Sequence, residues 1–361
     1  MVIAYFYPPD NAILLFCVFM SLCPSIPLLP SMTFCATPHL LIQIVAAFIL
    51  DIIIGDPQWR YHPVRLIGKL IEGTEHLLRR CPIPERLAGI LLTASITGSV
   101  WLLASVVALV TGQWCRLCEI ISGAIIIYFS ISIKSLAGEA KKIMNFLRKN
   151  DLINARKALS QIVGRDTEHL NEEQIIRACV ETVAESAVDG VLSPLFFSFI
   201  GGPGAAMAYR AVNTMDSMVG HKDEKYLQFG WASARLDDIT NYLPARISAV
   251  LIPVAAFFCG YSPVRSLKIA IRDGRKHESP NSGISEAAMA GALGVQLGGP
   301  SSYQGEVVAK PFIGDAHNQL TLCAINGAIK IMFVTAILFL AGGIGIVMAL
   351  ERLLLASSIT L

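Results

Sequence analysis

The stretch LAGILLTASITGSVWLLASVVALVT, residues 87–111, runs for 25 residues without a charged side chain. A helix needs about 20 apolar residues to cross the hydrocarbon core of a bilayer, so this run is long enough to span it. Working outward, residues 331–350 and 190–209 are each uncharged over 20 residues, and 247–264 over 18. Residues 117–138 carry only Glu119 and Lys134, near the ends, where both can snorkel. Residues 38–55 hold Asp51 near their end and stop at Gly55-Asp56-Pro57. One soluble core seldom needs so many such runs. Composition agrees, with 54% hydrophobic residues, 16% charged and a mean hydropathy of +0.57. A soluble domain carries about 25% charged residues. The expectation is an all-α, polytopic membrane helical bundle with polar helical loops and broken or re-entrant helices. A net charge of +2 points away from nucleic acid.

Lys and Arg set the orientation. Residues 55–86 hold Arg60, Arg65, Lys69, Arg79, Arg80 and Arg86, whereas the hairpin 112–117 holds only Arg116. By the positive-inside rule, 55–86 and the segment after Lys134 face the cytoplasm. The basic loops 210–243 and 263–324 lie on opposite faces if 188–209 and 247–264 both span. They share one face if both are interrupted, which Gly201-Gly202-Pro203-Gly204, Pro253 and Gly260 allow. At the N-terminus, residues 11–50 carry no Lys, Arg, Asp or Glu, and four prolines interrupt them. That segment reads as an extra anchor or as an early start, with Met32 as initiator. The nine cysteines are scattered like small hydrophobes, and Cys115-Arg116-Leu117-Cys118 has no second pair to complete a zinc site.

Polar chemistry gathers in four places. The first, Asp56-Pro57 to Arg65, places His62 and two arginines at a membrane-helix end, as anion grip or interfacial turn. The second follows Gly164-Arg165-Asp166-Thr167, where Asn171 and Gln174 predict a capping box. Along the ensuing helix Arg177, Glu181, Glu185 and Asp189 recur every four residues and run into an apolar segment. Such a stripe is ordinarily a solvated face with an ion pair. At a membrane boundary it reads as a metal or substrate site. The third place has Asn213, Asp216 and Ser217 on one helix face, then Arg235, Asp237, Asp238 and Asn241. Hard oxygen donors of this kind suit Mg²⁺ carrying phosphate oxygens. The fourth repeats Arg265, Lys268, Arg272 and Arg275, continues to Lys276 and His277, and passes a turn at Asn281. A small-residue helix is expected over 285–297, its N-terminus open to an anion. The cationic stripe is equally suited to anionic lipid headgroups. No P-loop, Gly-x-Ser-x-Gly elbow or His-Glu-x-x-His motif is present.

The ordered string Gly55-Asp56-Pro57, His62-Pro63-Val64-Arg65, Gly164-Arg165-Asp166-Thr167, Glu181…Glu185…Asp189-Gly190, Asn213-Thr214-Met215-Asp216-Ser217, Ser233-Ala234-Arg235-Leu236-Asp237-Asp238, Arg272-Asp273 and Ser279-Pro280-Asn281-Ser282-Gly283 resembles the adenosylcobinamide-phosphate synthase family of cobalamin biosynthesis. The resemblance covers roughly residues 45–350. Ser186 and His221 stand where many members have Asn and Tyr. It implies residues 1–37 as an extra segment and 38–361 as one membrane-embedded catalytic domain, with polar loops at 55–86, 138–189, 210–243 and 265–324. It also implies an enzyme of the inner, cytoplasmic membrane that joins adenosylcobyric acid to aminopropanol phosphate, or a related amino-alcohol phosphate, using ATP and Mg²⁺. Association with later enzymes of the pathway would fit. The residue roles expected on that basis place Asp216, Asp237 and Asp238 on Mg²⁺, with Glu181, Glu185 and Asp189 as an alternative set. Arg65, Arg165, Arg235, Arg272 and Lys276 would hold phosphates, with Asn213 and Asn281 beside them. His62 or His277 would take the ammonium proton. A transferase acting on polyprenyl diphosphate and a secondary transporter are the alternative readings.

Overall fold

The computed structural model describes residues 38–359 except 58, 222 and 304; the expected extra segment 1–37 lies outside the described residues. The chain is overwhelmingly helical. Helices α1 (Pro38–Ile54), α2 (Pro63–Leu78), α3 (Glu85–Trp114), α4 (Arg116–Tyr128), α5 (Ile133–Arg148) and α6 (Leu152–Leu159) are followed by α7 (Glu172–Ala187) and a π-helical turn (Val188–Leu192). Then come α8 (Ser193–Val219), α9 (Trp231–Thr240), α10 (Tyr242–Phe258), α11 (Pro263–Asp273), α12 (Ser282–Leu293) and α13 (Leu322–Ile359). Four helical stretches are long and apolar enough to cross a membrane: Glu85–Trp114, Arg116–Arg148, Glu172–Val219 and Leu322–Leu354. The bent pair α9–α10 makes a fifth if it is one span, and α1 is a shorter apolar helix.

Local chemistry explains the boundaries. Helix α3 stops where Cys115 turns extended, and its Sγ accepts the Cys118 amide at 3.2 Å to start α4. The close cysteine pair is thus a helix cap at the expected hairpin. The apolar run 117–138 is two helices rather than one. It breaks because Asp51 of α1 accepts the amides of Ile133 and Lys134 at 3.0 and 3.1 Å, capping α5 from a distant segment. Asn171 and Gln174 form the expected capping box at the start of α7.

Helix α8 reverses in its middle. Gly201 and Gly202 are non-helical, with Gly202 at φ 63°, ψ −155°, a conformation essentially reserved for glycine. Beyond it the chain folds back, so that Phe197 and Tyr209 stack with ring centroids 5.2 Å apart. In a straight helix these residues would stand about 18 Å apart. A second reversal follows α10, where Gly260 takes φ +78° and α11 returns along it. The pair α9–α10 is itself bent by 42° at Asn241. Both apolar runs that the glycines and prolines marked are therefore interrupted, and the polar loops that follow them meet at one end of the bundle.

Helix α12 is buried along its whole length. It starts at Ser282 and ends at Leu293, because Gly294 takes a left-handed cap at φ 69°; the expected span 285–297 is corrected accordingly. A Cβ at Gly291 would lie 2.5 Å from the Arg265 carbonyl oxygen, so only glycine lets α11 and α12 approach this closely. Leu297 instead opens β1 (Leu297–Gly298), which pairs antiparallel with β4 (Phe312–Ile313). Between them β2 (Ser301–Tyr303) and β3 (Glu306–Val308) form a hairpin. These short strands are the departure from an all-helical chain. The main core joins α1, α4 to α8 and α10 to α13, while a second cluster packs α2 and α3 on the returning half of α8.

Candidate active site

Helix α7 is the spine of the polar end. Glu181 is almost fully buried, yet it accepts Arg165 Nη2 at 2.6 Å on one oxygen and the Gly298 amide at 2.6 Å on the other. Arg165 reaches it from the loop before α7, and its Nη1 donates to Ser301 Oγ at 3.3 Å. One turn later Glu185 accepts Ser282 Oγ at 2.9 Å. The sequence stripe is therefore shared between two partners, the β1–β2 region and the start of α12. Arg177 does not pair with Glu181. It bonds Glu173 at 2.8 Å, one turn earlier, and the Gly298 carbonyl at 3.4 Å.

Glu286 of α12 completes the arginine side of the site. It is buried, with His277 Nε2 at 3.8 Å from its Oε1. Arg165, Glu181, His277, Glu286 and Lys310 line one small cavity of about 30 Å³. Burial, reinforced by the charges of Glu181 and Glu185, pushes the Glu286 carboxyl well above the usual carboxylate range. Burial pushes His277 down. The Ser279 amide donates to His277 Nδ1 at 3.0 Å, which leaves the proton of the neutral ring on Nε2, facing Glu286.

The second half of the site is a carboxylate cluster built by the reversal of α8. Asp189 sits in the π-helical turn, within electrostatic reach of Asp237, Glu185 and Asp216 and of the Arg210 guanidinium. Asp216 returns on the far arm of α8, close to Asp238 and Glu185. Asn241, at the bend between α9 and α10, holds the cluster. Its Nδ2 donates to Asp237 Oδ2 at 2.9 Å, and its Oδ1 accepts Ser193 Oγ at 2.6 Å and Tyr209 Oη at 2.8 Å. Asp237 Oδ1 is buried and accepts no hydrogen bond. Asn213 lies within electrostatic reach of Asp237. Asn281 links the two halves, accepting Arg246 Nη1 at 2.6 Å and donating to the Asp238 carbonyl at 2.8 Å. Among the described residues, no three His, Cys, Asp or Glu side chains enclose an ion by themselves.

The remaining expected residues lie outside these two groups. Arg235 is largely exposed and approaches Asp238 to 3.5 Å. Arg272 and Lys276 are tied to the buried Asp273 at 2.7 and 2.8 Å, and Arg272 also pairs with Asp315. His62 is buried, its Nε2 2.5 Å from Asp56 Oδ1, while Arg65 is exposed on α2. The His62 loop flanks the cluster, because the Asp56 amide donates to Ser135 Oγ and the nearby Ser132 amide donates to the carbonyl of Gly190.

The end of the apolar bundle where carboxylates, amides and arginines converge carries the ordered motifs, and a family model described as CobD/CbiB protein matches residues 44–332. The chain belongs to the CobD/CbiB family. It is 48% identical to the cobalamin biosynthesis protein CobD of Geobacter metallireducens over 294 residues, 80% of this chain and 91% of the relative. It is likewise 48% identical to the cobalamin biosynthesis protein CbiB of Salmonella typhimurium over 302 residues, 82% of this chain and 93% of the relative. No solved structure matches the chain.

Three residues that join this candidate site are not among the site residues expected from the sequence. Ser193 and Tyr209 sit in the uncharged run 190–209, where spacing gives no sign of a hydrogen-bonding role. Glu286 carried a signal, as the one charge in a helix of small residues, which burial makes costly unless it is used.

Proposed function

We propose that the chain forms an amide between a carboxylate of adenosylcobyric acid and the amine of aminopropanol phosphate, or a related amino-alcohol phosphate. The reaction would consume ATP at the cytoplasmic side of the inner membrane. The observation that carries this reading is the convergence of Glu185, Asp189, Asp216 and Asp237 beside the Arg165–Glu181–Glu286 group at one end of an apolar bundle. Amide formation from a carboxylate needs its oxygen turned into a leaving group. In the proposed route a carboxylate oxygen attacks the γ-phosphorus of ATP and ADP departs. The amine then attacks the acyl carbon, phosphate leaves, and the ammonium loses a proton.

The carboxylate cluster fits Mg²⁺, which takes one or two carboxylates and completes its shell with water and phosphate oxygens. Asp237 Oδ1, buried without a partner, is the donor such an ion would use. Bound there, Mg²⁺ would neutralise charge on the phosphates. Arg165, fixed by Glu181 and Ser301, would orient a phosphate bidentately only by exchanging part of that network. His277 presents Nε2–H and acts as a donor in its neutral form, so proton removal from the amine falls to His62 or to a carboxylate of the cluster.

Membranes containing the protein, given adenosylcobyric acid, aminopropanol phosphate, ATP and Mg²⁺, are expected to yield adenosylcobinamide phosphate by mass. Omitting ATP abolishes it. Absence of product with both amino-alcohol phosphates returns the transferase and transporter readings.

A further inference from the structure

The small cavity at Arg165 adjoins a much larger cleft. Gly298, Ser301 and Arg165 line both. The cleft has a volume of about 1140 Å³ and lies between α6, the loop before α7, the start of α7 and the β2–β3 hairpin. That is somewhat larger than the roughly 300–1,000 Å³ of most small-molecule sites. Its lining carries Arg156, Lys157, Arg165 and Arg177 against only two carboxylates, Asp166 and Glu168. Asp166 is already engaged, since its Oδ2 accepts Ser302 Oγ at 2.6 Å and the Gly305 amide at 2.8 Å.

The cations are only partly used. Arg156 donates its Nε to the Leu170 carbonyl at 2.8 Å, and its two Nη groups have no partner among the described residues. The Lys157 ammonium has no ion pair or hydrogen bond among the described residues, and the exposed side chain lines the cleft. Arg177 Nε is buried and unbonded. The open Nη groups of Arg156 beside the Lys157 ammonium suit a phosphate group, with the Arg177 charge behind them.

We propose that this cleft binds the phosphate end of a phosphorylated substrate, with Arg156, Lys157 and Arg177 as its cationic wall. The inference rests on the reading that the reaction consumes phosphorylated substrates. The phosphate can belong to a nucleoside triphosphate or to the amino-alcohol phosphate, and the cleft delivers either to Arg165 at its inner end.

The test is equilibrium binding of ATP, and separately of aminopropanol phosphate, to the full-length protein in lipid nanodiscs without corrinoid. Lys157→Glu changes an exposed side chain and Arg156→Gln removes the open guanidinium, while Lys142→Ala on α5 serves as control. Loss of about tenfold in affinity for one ligand in both cleft variants, with the control unchanged, identifies which substrate's phosphate the cleft holds. Wild-type binding that both variants leave within twofold overturns the site, as does a wild type that binds neither ligand. Product formation with unaltered binding in the variants removes the site and keeps the reaction. Charge-sensitive binding without any amide product keeps the site and removes the reaction.

Discussion

Tyr209 donates its hydroxyl to the main-chain carbonyl of Asp189 at 3.1 Å, across 20 residues of nominally continuous helix. The hydroxyl's single proton is shared with Asn241 Oδ1, 2.8 Å away. This relationship exists only because α8 turns back at Gly201-Gly202, and it brings an apolar hairpin's two polar ends together. Asp189 before the hairpin and Asp216 after it thereby enter one cluster with Asp237, although a straight helix would part the first two by about 40 Å.

Gly202→Ala is expected to destabilise the protein by about 1–3 kcal/mol, since alanine must take φ 63°, ψ −155°. Amide formation is expected to fall with it, because the spacing of Asp189 and Asp216 depends on the reversal. Thermal unfolding in detergent and product assays check both. An alanine variant as stable and active as the parent would mean that the reversal forms without glycine.

Asp237→Asn is expected to lower turnover by roughly a hundredfold and to raise the Mg²⁺ concentration needed for half-maximal rate. The substitution keeps the Asn241 contact in shape while removing charge from the unpartnered oxygen. Full activity in both Asp237→Ala and Asp238→Ala would refute the metal assignment.

Burial and the neighbouring Glu181 and Glu185 oppose charge on Glu286 and raise its carboxyl well above the ordinary value. A raised carboxyl contributes stability that is complete below its ordinary value of 4.5 and is lost as pH rises through the folded value. The difference in Tm between parent and Glu286→Gln is therefore expected to shift in favour of the glutamine variant between pH 5 and pH 8. An equal difference at both ends of that range would show that Glu286 is ionised throughout.

Asp273 behaves in the opposite sense. Burial pushes its carboxyl up, but bonds from Arg272, Lys276 and the Gly314 amide outweigh this and hold it well below the ordinary 3.8. Its contribution is complete above that ordinary value and is lost only as pH falls towards the folded one. Asp273→Asn is expected to cost about 1–3 kcal/mol at neutral pH, because the Arg272 and Lys276 cations it leaves are partly exposed, with the deficit shrinking only below about pH 4. Chemical denaturation at pH 7 and pH 3.5 measures it. A deficit already shrinking at pH 6 would contradict the assignment.

The sequence by itself determined the membrane class, because a run such as 87–111 states its length and its lack of charge without reference to any other segment. It determined the capping box at Asn171, whose partners lie three residues apart, and it marked both reversals through Gly201-Gly202 and Gly260. The family was legible too, in the order of the polar motifs. Tertiary structure alone decided which motifs meet. Glu181 ends on the Gly298 amide 117 residues away, not on Arg177 one turn earlier. Asp51 cut the run 117–138 in two from α1, and Arg272 and Lys276 went to Asp273 and Asp315. Helical periodicity encodes neighbours within one or two turns of a residue. Which buried donor meets which carboxylate is settled instead by how the hairpins pack, since each buried polar group must find a partner wherever the fold brings one.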